Sequence, residues 1–266
     1  MIYTQPIDYP GFDSIEQNIQ YYIDKFFTDS IIVFRNANLT QTEHEELMKM
    51  LGDNFNWFPN STALNVDKYH EDHSRAPELK KCGSDDLILD WHIEHVLRNN
   101  SIIASSWNMH HFTTSPENGK TYFLDTSKVY ALLTQEEQDF LFKSKIGAID
   151  RVSESMVSRR VIAKHWKNDE YVIRIPMHEI KANDFSFTEY DRRVPTQSES
   201  EVFHNIINKI VNEINNNKDI RIVHKWNQGD LVIPDLFKLA HAVTGGFASE
   251  ERSFTGIWGF ERDYNI

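Results

Sequence analysis

Short apolar segments, rich in β-branched and aromatic residues, recur along most of this chain, and polar or turn-forming residues separate them. Segments of this length and composition are typical of strands. The predicted strands span residues 30–35, 87–94, 101–112, 121–125, 146–151, 161–164, 171–176, 220–226, 230–235 and 253–260. Many short strands in one chain favour a sandwich or a barrel with helices packed outside it. We therefore expect a mainly β protein with flanking helices, of the α+β class.

Four segments are predicted to be helical, and they span residues 14–27, 40–52, 127–143 and 199–215. Asp13 or Ser14 can cap the first helix, and Gly52 is expected to end the second. Thr134 followed three residues later by Glu137 is a capping-box pattern. The first two helices and the strand between them are expected to support packing and not chemistry.

The chain of 266 residues is long enough to bury one large core or two small ones. It contains no internal repeat and no linker rich in Pro and Gly that would divide it. Residues 1–266 are therefore expected to form a single domain. Two regions are expected to stand apart within it: a polar loop or lid around residues 53–85, and a helix-containing insert around residues 127–218.

Composition restricts the chemistry that is available to this chain. Its one cysteine, Cys82, excludes an internal disulfide framework and any metal site built from several cysteines. A formal net charge of −12, without a basic stripe interleaved with aromatic residues, argues against a nucleic-acid partner. The N-terminus lacks the pattern of a signal peptide, and the apolar runs are too short to span a bilayer. We expect a cytoplasmic protein with no membrane partner, whose chemistry depends on His, carboxylates and Arg.

The segment from Leu89 to His95 places two metal-ligand types side by side. If it is a strand, His92 and Glu94 lie on one face, while Ile93 and His95 lie on the other. One imidazole and one carboxylate on the same face form two thirds of the facial triad that binds Fe(II) and leaves positions open. Taken alone, His-x-Glu is a weak signal, and a strand-end His beside an incidental Glu remains the alternative.

A second segment can supply the missing ligand. Residues 229–235 contain an apolar strand, Asp235 begins a turn, and His241 follows it. Further on, Arg252 is flanked by apolar residues of another predicted strand. Arg252 is either a structural arginine paired with a neighbouring Glu or a guanidinium that faces the barrel interior and holds a carboxylate bidentately.

In this order, these residues resemble the taurine dioxygenase-like (TauD/TfdA) family of Fe(II)- and 2-oxoglutarate-dependent oxygenases. The family pattern is Trp-His-x-Asp/Glu, then a distant Gly-Asp, a later Asp, a second His and an Arg. The matching positions are Trp91, His92, Glu94, Gly229, Asp230, Asp235, His241 and Arg252. The arginine follows the second histidine by eleven residues, as the resemblance requires. The likeness extends over nearly the whole chain and includes the Gly-x-Thr segment that ends at Thr121.

The resemblance implies a double-stranded β-helix, or jelly roll, with Fe(II) held by His92, Glu94 and His241. It also implies that 2-oxoglutarate binds as cosubstrate, with Arg252 on its distal carboxylate and Thr121 hydrogen-bonded to it. With O2, such an enzyme hydroxylates an unactivated C–H bond and releases succinate and CO2. Desaturation or another oxidative outcome would use the same ligands. The resemblance leaves room for a homo-oligomer.

Two positions depart from the commonest family pattern. The carboxylate ligand is most often Asp, and here it is Glu94, whose extra methylene can reach the metal from a slightly displaced backbone. Sulfonate-using members carry a second Arg four residues after the first, where this chain has Gly256. A sulfonate is therefore not expected, and the substrate is predicted to be a small molecule such as an amino acid or an amine derivative.

Two other classes of function compete with this interpretation. One is a non-catalytic jelly-roll binding protein, against which the complete ligand set argues. The other is a cupin-like metal hydrolase or isomerase, which would leave Arg252 without a purpose. Further candidates are His70 and His73 as lid residues, one inward-facing residue of the pair His110 and His111, and Arg174 and His178 as substrate contacts.

Overall fold

The computed structural model describes residues 2–55, 57–60, 87–94, 96–97, 102–149, 156–165, 167–176 and 186–261. Its helices are α1 (Phe12–Gln17), α2 (Ile19–Asp29), α3 (Gln41–Phe55), α4 (Thr126–Ala131), α5 (Gln135–Phe142) and α6 (Gln197–Asn216). The early strands are β1 (Ile2–Tyr3), β2 (Ile7–Asp8), β3 (Ile31–Arg35), β4 (Trp57–Asn60), β5 (Leu87–His92), β6 (Ile102–Phe112), β7 (Thr121–Asp125) and β8 (Ser144–Ile149). The later strands are β9 (Met156–Arg160), β10 (Ile162–Lys164), β11 (Tyr171–Ile173), β12 (Ser186–Tyr190), β13 (Arg221–His224), β14 (Leu231–Pro234), β15 (Leu239–Thr244) and β16 (Arg252–Glu261).

Two large sheets form the framework of the protein. Sheet I has the order β1-β13-β7-β15-β5, and sheet II has the order β2-β3-β14-β6-β16-β4. The pairs β1–β13 and β2–β3 are parallel, and the other pairs in these two sheets are antiparallel. A three-stranded sheet, β12-β8-β9, and the β10–β11 hairpin accompany them. The protein is thus a mixture of strands and helices in which strands predominate, as the sequence predicts.

Alternation along the strands divides the core into layers. On β7, Phe123 packs in a core between the two large sheets, whereas its neighbours Tyr122 and Leu124 pack in a separate outer core. The inter-sheet core draws on both sheets, through Ile31, Val33, Trp107, Met109, Phe123, Val232 and Leu239. Helices cover the outer faces: α1, α2 and α3 lie on sheet II, and α6 lies on sheet I. None of the helices in the described ranges is both long and apolar enough to cross a membrane.

The predicted helices agree with the structure in place but not in every boundary. The segment expected as one helix over 14–27 is two helices that meet at Asn18, and Gly11 precedes the first without a side-chain cap. Gly52 does not end α3, which continues to Phe55. The segment expected as one helix over 127–143 is also two helices, α4 and α5. The predicted capping box is confirmed, because Thr134 and Glu137 cap each other at the start of α5.

Several strands escaped prediction because their apolar pattern is short or interrupted. The most important is β15, which carries His241 and lies in the middle of sheet I, although the sequence suggested only a position past a turn. Most of the expected lid over 53–85 lies outside the described residues, and so do His70, His73 and Cys82. Candidate His178 also lies outside them.

The expectation that one of His110 and His111 faces inward is wrong. Both residues are exposed, because the pairing register of β6 with β16 shifts at this point. His110 Nε2 lies 2.9 Å from Thr255 Oγ1, on the side of sheet II that faces α3. The strict alternation assumed from the sequence fails at such a bulge.

A hydrogen-bond chain joins α3 to sheet II through a fully buried histidine. His44 Nε2 lies 2.6 Å from Ser106 Oγ, and His44 Nδ1 lies 3.3 Å from Thr255 Oγ1. Burial, helped by the nearby His110, lowers the pKa of His44 to about 3. The imidazole is therefore neutral in the folded protein at ordinary pH, and both ring nitrogens are used for positioning α3.

This burial predicts acid destabilisation with a defined sign. An unfolded histidine has a pKa of about 6.5, so below that pH the unfolded chain binds a proton that folded His44 refuses until about pH 3. The free energy of unfolding should therefore fall as the pH drops through this window, with a contribution of up to about 1.4 kcal/mol per pH unit from this residue. Urea unfolding from pH 7 to pH 4 should show a shallower pH dependence for His44→Gln than for the native chain. His204→Gln, at an exposed position of α6, is the matched control and should keep the native slope. Equal slopes for native protein and His44→Gln would contradict the assignment.

Candidate active site

The two histidines singled out in the sequence meet across neighbouring strands. His92 at the end of β5 and His241 on β15 are direct partners in the antiparallel pairing, and their ring centroids are 4.0 Å apart. On β15, Ala240 and Ala242 pack in the outer core of sheet I, so alternation turns His241 towards the inter-sheet side. Both histidines are buried.

Glu94 joins this pair, although not from a strand as expected. β5 ends at His92, and Glu94 lies in the following turn. Its Oε1 atom is 3.5 Å from His92 Nε2 and 3.6 Å from His241 Nε2. The carboxylate is thus brought to the two imidazoles by the turn and by its own length.

These three side chains have the geometry of a metal site. One ligand atom from each can be chosen so that all lie within 4.8 Å of one another. Two ligand atoms that each bind one ion at about 2.1 Å can be no more than about 4.2 Å apart, and the two measured separations from Glu94 satisfy this limit. Two imidazole nitrogens and one carboxylate oxygen are also the donor set that suits Fe(II). The residues present therefore fit a divalent metal of this kind.

Aromatic rings fix His241 from the opposite sheet and from its own. The Trp107 indole, which reaches over from β6 of sheet II, lies 5.1 Å from the His241 ring. Trp107 also stacks on Phe123 at 5.8 Å, and Phe123 is the β7 partner of His241. The imidazole of His241 therefore has little freedom to turn.

Arg252 and Thr121, predicted to bind a cosubstrate, are gathered around one indole. Arg252, at the start of β16 in sheet II, is buried, and its guanidinium carbon lies 5.6 Å from the ring centroid of Trp226. Thr121 begins β7 in sheet I, and its Oγ1 accepts a 2.9 Å hydrogen bond from Trp226 Nε1. Thr121 lies two residues before Phe123 on the same strand, so both it and His241 face the inter-sheet side.

Behind Trp226 lies a fully buried polar group. Asp230 pairs with Arg35 and lies 3.3 Å from His224 Nε2, and His224 Nδ1 is 3.0 Å from Thr4 Oγ1. Burial lowers the pKa of His224, and the hydrogen bond and charge of Asp230 oppose the shift only in part. The Gly-Asp of the sequence pattern is therefore structural: the Asp230 carboxylate, directly before β14, holds β3 and β13 together.

Ion pairs hold the turn between β14 and β15, which leads into His241. The buried Asp235 accepts a 2.8 Å hydrogen bond from His165 Nε2. Lys238 Nζ lies 3.1 Å from Asp125 and 2.6 Å from Glu170. Burial alone would lower the pKa of Lys238, but the two carboxylates outweigh it and the pKa is raised. The ammonium therefore stays charged and anchors the turn.

Arg174, a candidate for substrate contact, serves the same turn. Its Nη1 donates to the Phe237 carbonyl at 2.8 Å, and its guanidinium lies 4.2 Å from the Phe237 ring centroid. The side chain is buried in these contacts, which support packing and lend no support to a role in substrate binding.

Sequence reasoning missed Trp226 and Trp107. Neither has a spacing signal of its own, because an isolated tryptophan in a β-rich chain is most often an ordinary core residue. For Trp226, the available clue was its place three residues before the Gly229-Asp230 pair.

Comparison with known proteins agrees with this geometry. The family described as taurine catabolism dioxygenase TauD, TfdA family, matches residues 2–258, although no curated protein matches the sequence. Among solved structures, AAD-2 in complex with Mn(II) and N-oxalylglycine aligns with a TM-score of 0.63 at 14% identity, over 98% of this chain and 93% of AAD-2. A taurine dioxygenase from Burkholderia xenovorans aligns with a TM-score of 0.62 at 14% identity, over 96% of this chain and 84% of that protein. At such identities the structures share a fold, while the family match covers nearly the whole sequence. The chain therefore belongs to the TauD/TfdA family and is a 2-oxoglutarate-dependent oxygenase, of the kind that uses Fe(II), 2-oxoglutarate and O2.

Proposed function

We propose that this protein hydroxylates an unactivated C–H bond of a small molecule, such as an amino acid or an amine derivative, and releases succinate and CO2. One observation carries the proposal. Two imidazole nitrogens and one carboxylate oxygen lie close together between the two large sheets, and both histidines are buried. The chain has the complete donor set expected of an active family member. A non-catalytic binding protein would have no need to keep it.

In this proposal His92, Glu94 and His241 are the ligands of Fe(II). Three protein ligands on one side of the ion leave the remaining positions open for 2-oxoglutarate and O2. When bound, Fe(II) supplies the activation of O2 that is coupled to decarboxylation of 2-oxoglutarate and to oxidation of the substrate. The chain supplies ligand orientation, through the strand pairing and the ring of Trp107.

Arg252 and Thr121 are proposed to hold 2-oxoglutarate. The Arg252 guanidinium carbon lies 5.2–5.6 Å from the ring centroids of Trp226, Phe247 and Phe254, and a planar guanidinium can bind a carboxylate through two parallel N–H groups. The Thr121 hydroxyl can add one further hydrogen bond. A metal hydrolase or isomerase of similar architecture would have no 2-oxoglutarate for Arg252 to bind.

We further propose that the two facing sheets form the double-stranded β-helix of the family. The chain is proposed to be one domain, since the proposed ligands come from both of its halves. The inter-sheet core is apolar, and such surroundings exclude bulk water from a reacting centre.

Gly256 bears on which substrate the protein can bind. This residue is the direct partner of Trp107 across β6 and β16, so the position where sulfonate-using members carry an arginine offers no cation here. The aligned taurine dioxygenase therefore does not set the substrate of this chain. We therefore propose an amino acid or an amine derivative as the substrate in preference to a sulfonate.

The metal assignment predicts a spectroscopic result. Anaerobic Fe(II) and 2-oxoglutarate together should give the chain a visible charge-transfer band, which neither gives alone. His241→Ala should abolish the band, because only two ligands remain. His204→Ala, at an exposed site on α6, should retain it and serves as the matched control. A band of native intensity in His241→Ala would contradict the assignment of His241 as a metal ligand.

The cosubstrate assignment predicts a selective loss. Arg252→Gln should weaken 2-oxoglutarate binding to the Mn(II)-loaded protein by about 10- to 100-fold, since a hydrogen-bonded charge pair contributes about 1.5–3 kcal/mol. Isothermal titration without O2 measures this constant, and Mn(II) affinity measured in parallel should stay near the native value. Arg193→Gln, which removes an exposed ion pair with Glu199, is the control and should leave both constants unchanged. Unchanged 2-oxoglutarate affinity in Arg252→Gln would contradict the role.

The substrate class predicts the outcome of a succinate-release screen. With Fe(II), 2-oxoglutarate and O2 present, one or more amino acids or amine derivatives should raise succinate release well above the uncoupled rate. Taurine should not. A flat response across amines and amino acids, or strong stimulation by a sulfonate, would remove this class and leave the oxygenase assignment standing.

A further inference from the structure

Trp226 lies between the two residues proposed to bind 2-oxoglutarate and touches both. It is fully buried just after β13, and its Nε1 donates a 2.9 Å hydrogen bond to Thr121 Oγ1. The face of the same indole lies under the Arg252 guanidinium at 5.6 Å. Thr121 belongs to sheet I and Arg252 to sheet II, so this one side chain connects the two proposed contacts across the sheets.

The hydrogen bond between Trp226 and Thr121 can run in one direction only. An indole N–H is a donor without acceptor capacity, whereas a threonine hydroxyl has one proton and can accept as well. The Thr121 oxygen must therefore accept from Trp226, and the hydroxyl proton cannot be directed back at it. That proton remains available for another acceptor, and a carboxylate is the acceptor that the proposed function places there.

The contact with Arg252 is of a different kind. A guanidinium above a ring face is attracted through its charge and uses none of its in-plane N–H donors. Trp226 can therefore hold Arg252 in place without occupying any of its N–H donors. The indole is in turn held by His224, whose ring meets it edge-on at 4.5 Å and which is tied to Thr4 and lies beside Asp230.

We propose that Trp226 is a positioning residue for 2-oxoglutarate: it forces the Thr121 hydroxyl to act as a donor and holds the Arg252 guanidinium near its ring. This inference rests on the proposed function. It predicts that the indole N–H matters for cosubstrate affinity although it need not touch the cosubstrate itself.

The test is Trp226→Phe, which keeps a ring beneath Arg252 and removes the N–H. Isothermal titration of 2-oxoglutarate into the Mn(II)-loaded protein without O2 should show affinity about three- to tenfold weaker, as expected for one neutral hydrogen bond. Mn(II) affinity should not change. Trp258→Phe, on the same strand as Arg252 but six residues further along, is the matched control and should bind 2-oxoglutarate as the native chain does.

A double-mutant cycle separates positioning from general packing. Thr121→Val should weaken 2-oxoglutarate binding at least as much as Trp226→Phe. The double variant should bind 2-oxoglutarate no more weakly than Thr121→Val alone, because the indole N–H acts only through the Thr121 hydroxyl. Thr121→Ser, which keeps the hydroxyl, should restore most of the affinity.

Three outcomes would overturn the inference. They are native 2-oxoglutarate affinity in Trp226→Phe, fully additive losses in the double variant, and native affinity in Thr121→Val, which can be measured even if Trp226→Phe folds poorly. Arg252→Gln distinguishes failure of the inference from failure of the proposed function. If that variant also binds 2-oxoglutarate normally, the cosubstrate site itself is wrong; if it binds weakly, only the role of Trp226 is lost.

Discussion

The pairing register of β5 and β15 is the constraint on which the rest of the site depends. Because His92 and His241 are direct partners in this antiparallel pair, their side chains leave the sheet at the same level and on the same side. A slip of one residue would turn His241 to the outer face and bring Ala240 or Ala242 inwards. The packing of those two alanines in the outer core of sheet I resists such a slip, so the register is fixed by apolar burial.

Buried polar groups near this strand pair fix the path of the chain, although burying them costs desolvation free energy. Asp230 with Arg35, Asp235 with His165, and Lys238 with its two carboxylates all lie at the ends of β14 or in the turn before β15. Replacement of buried ion pairs by apolar residues is often neutral or stabilising, so they are weak as sources of stability. Their common location indicates that they define the path of the chain into His241.

Much of the fold class and the site was predictable from the sequence, because each depends on local patterns. Strands β6, β7, β14 and β16 contain short segments rich in β-branched and aromatic residues, and His92, Glu94 and His241 are brought together as the motif spacing suggests. What was missed depends on tertiary packing. β15 reads as a turn followed by mixed residues, the bulge in β6 exposes both His110 and His111, and nothing local marks Trp226 as the link between Thr121 and Arg252.

Glu94 lies beside the two histidines for a reason other than the one that the sequence suggested. Alternation along a strand predicted that His92 and Glu94 share a face, yet the strand ends at His92 and alternation no longer applies beyond it. The carboxylate still lies within 3.6 Å of both imidazoles, because the turn redirects the backbone and the side chain extends back towards the sheet. A shorter aspartate on the same backbone would place its carboxylate about one carbon–carbon bond nearer the turn. On this backbone, the length of the Glu94 side chain is therefore what brings its carboxylate to the two imidazoles.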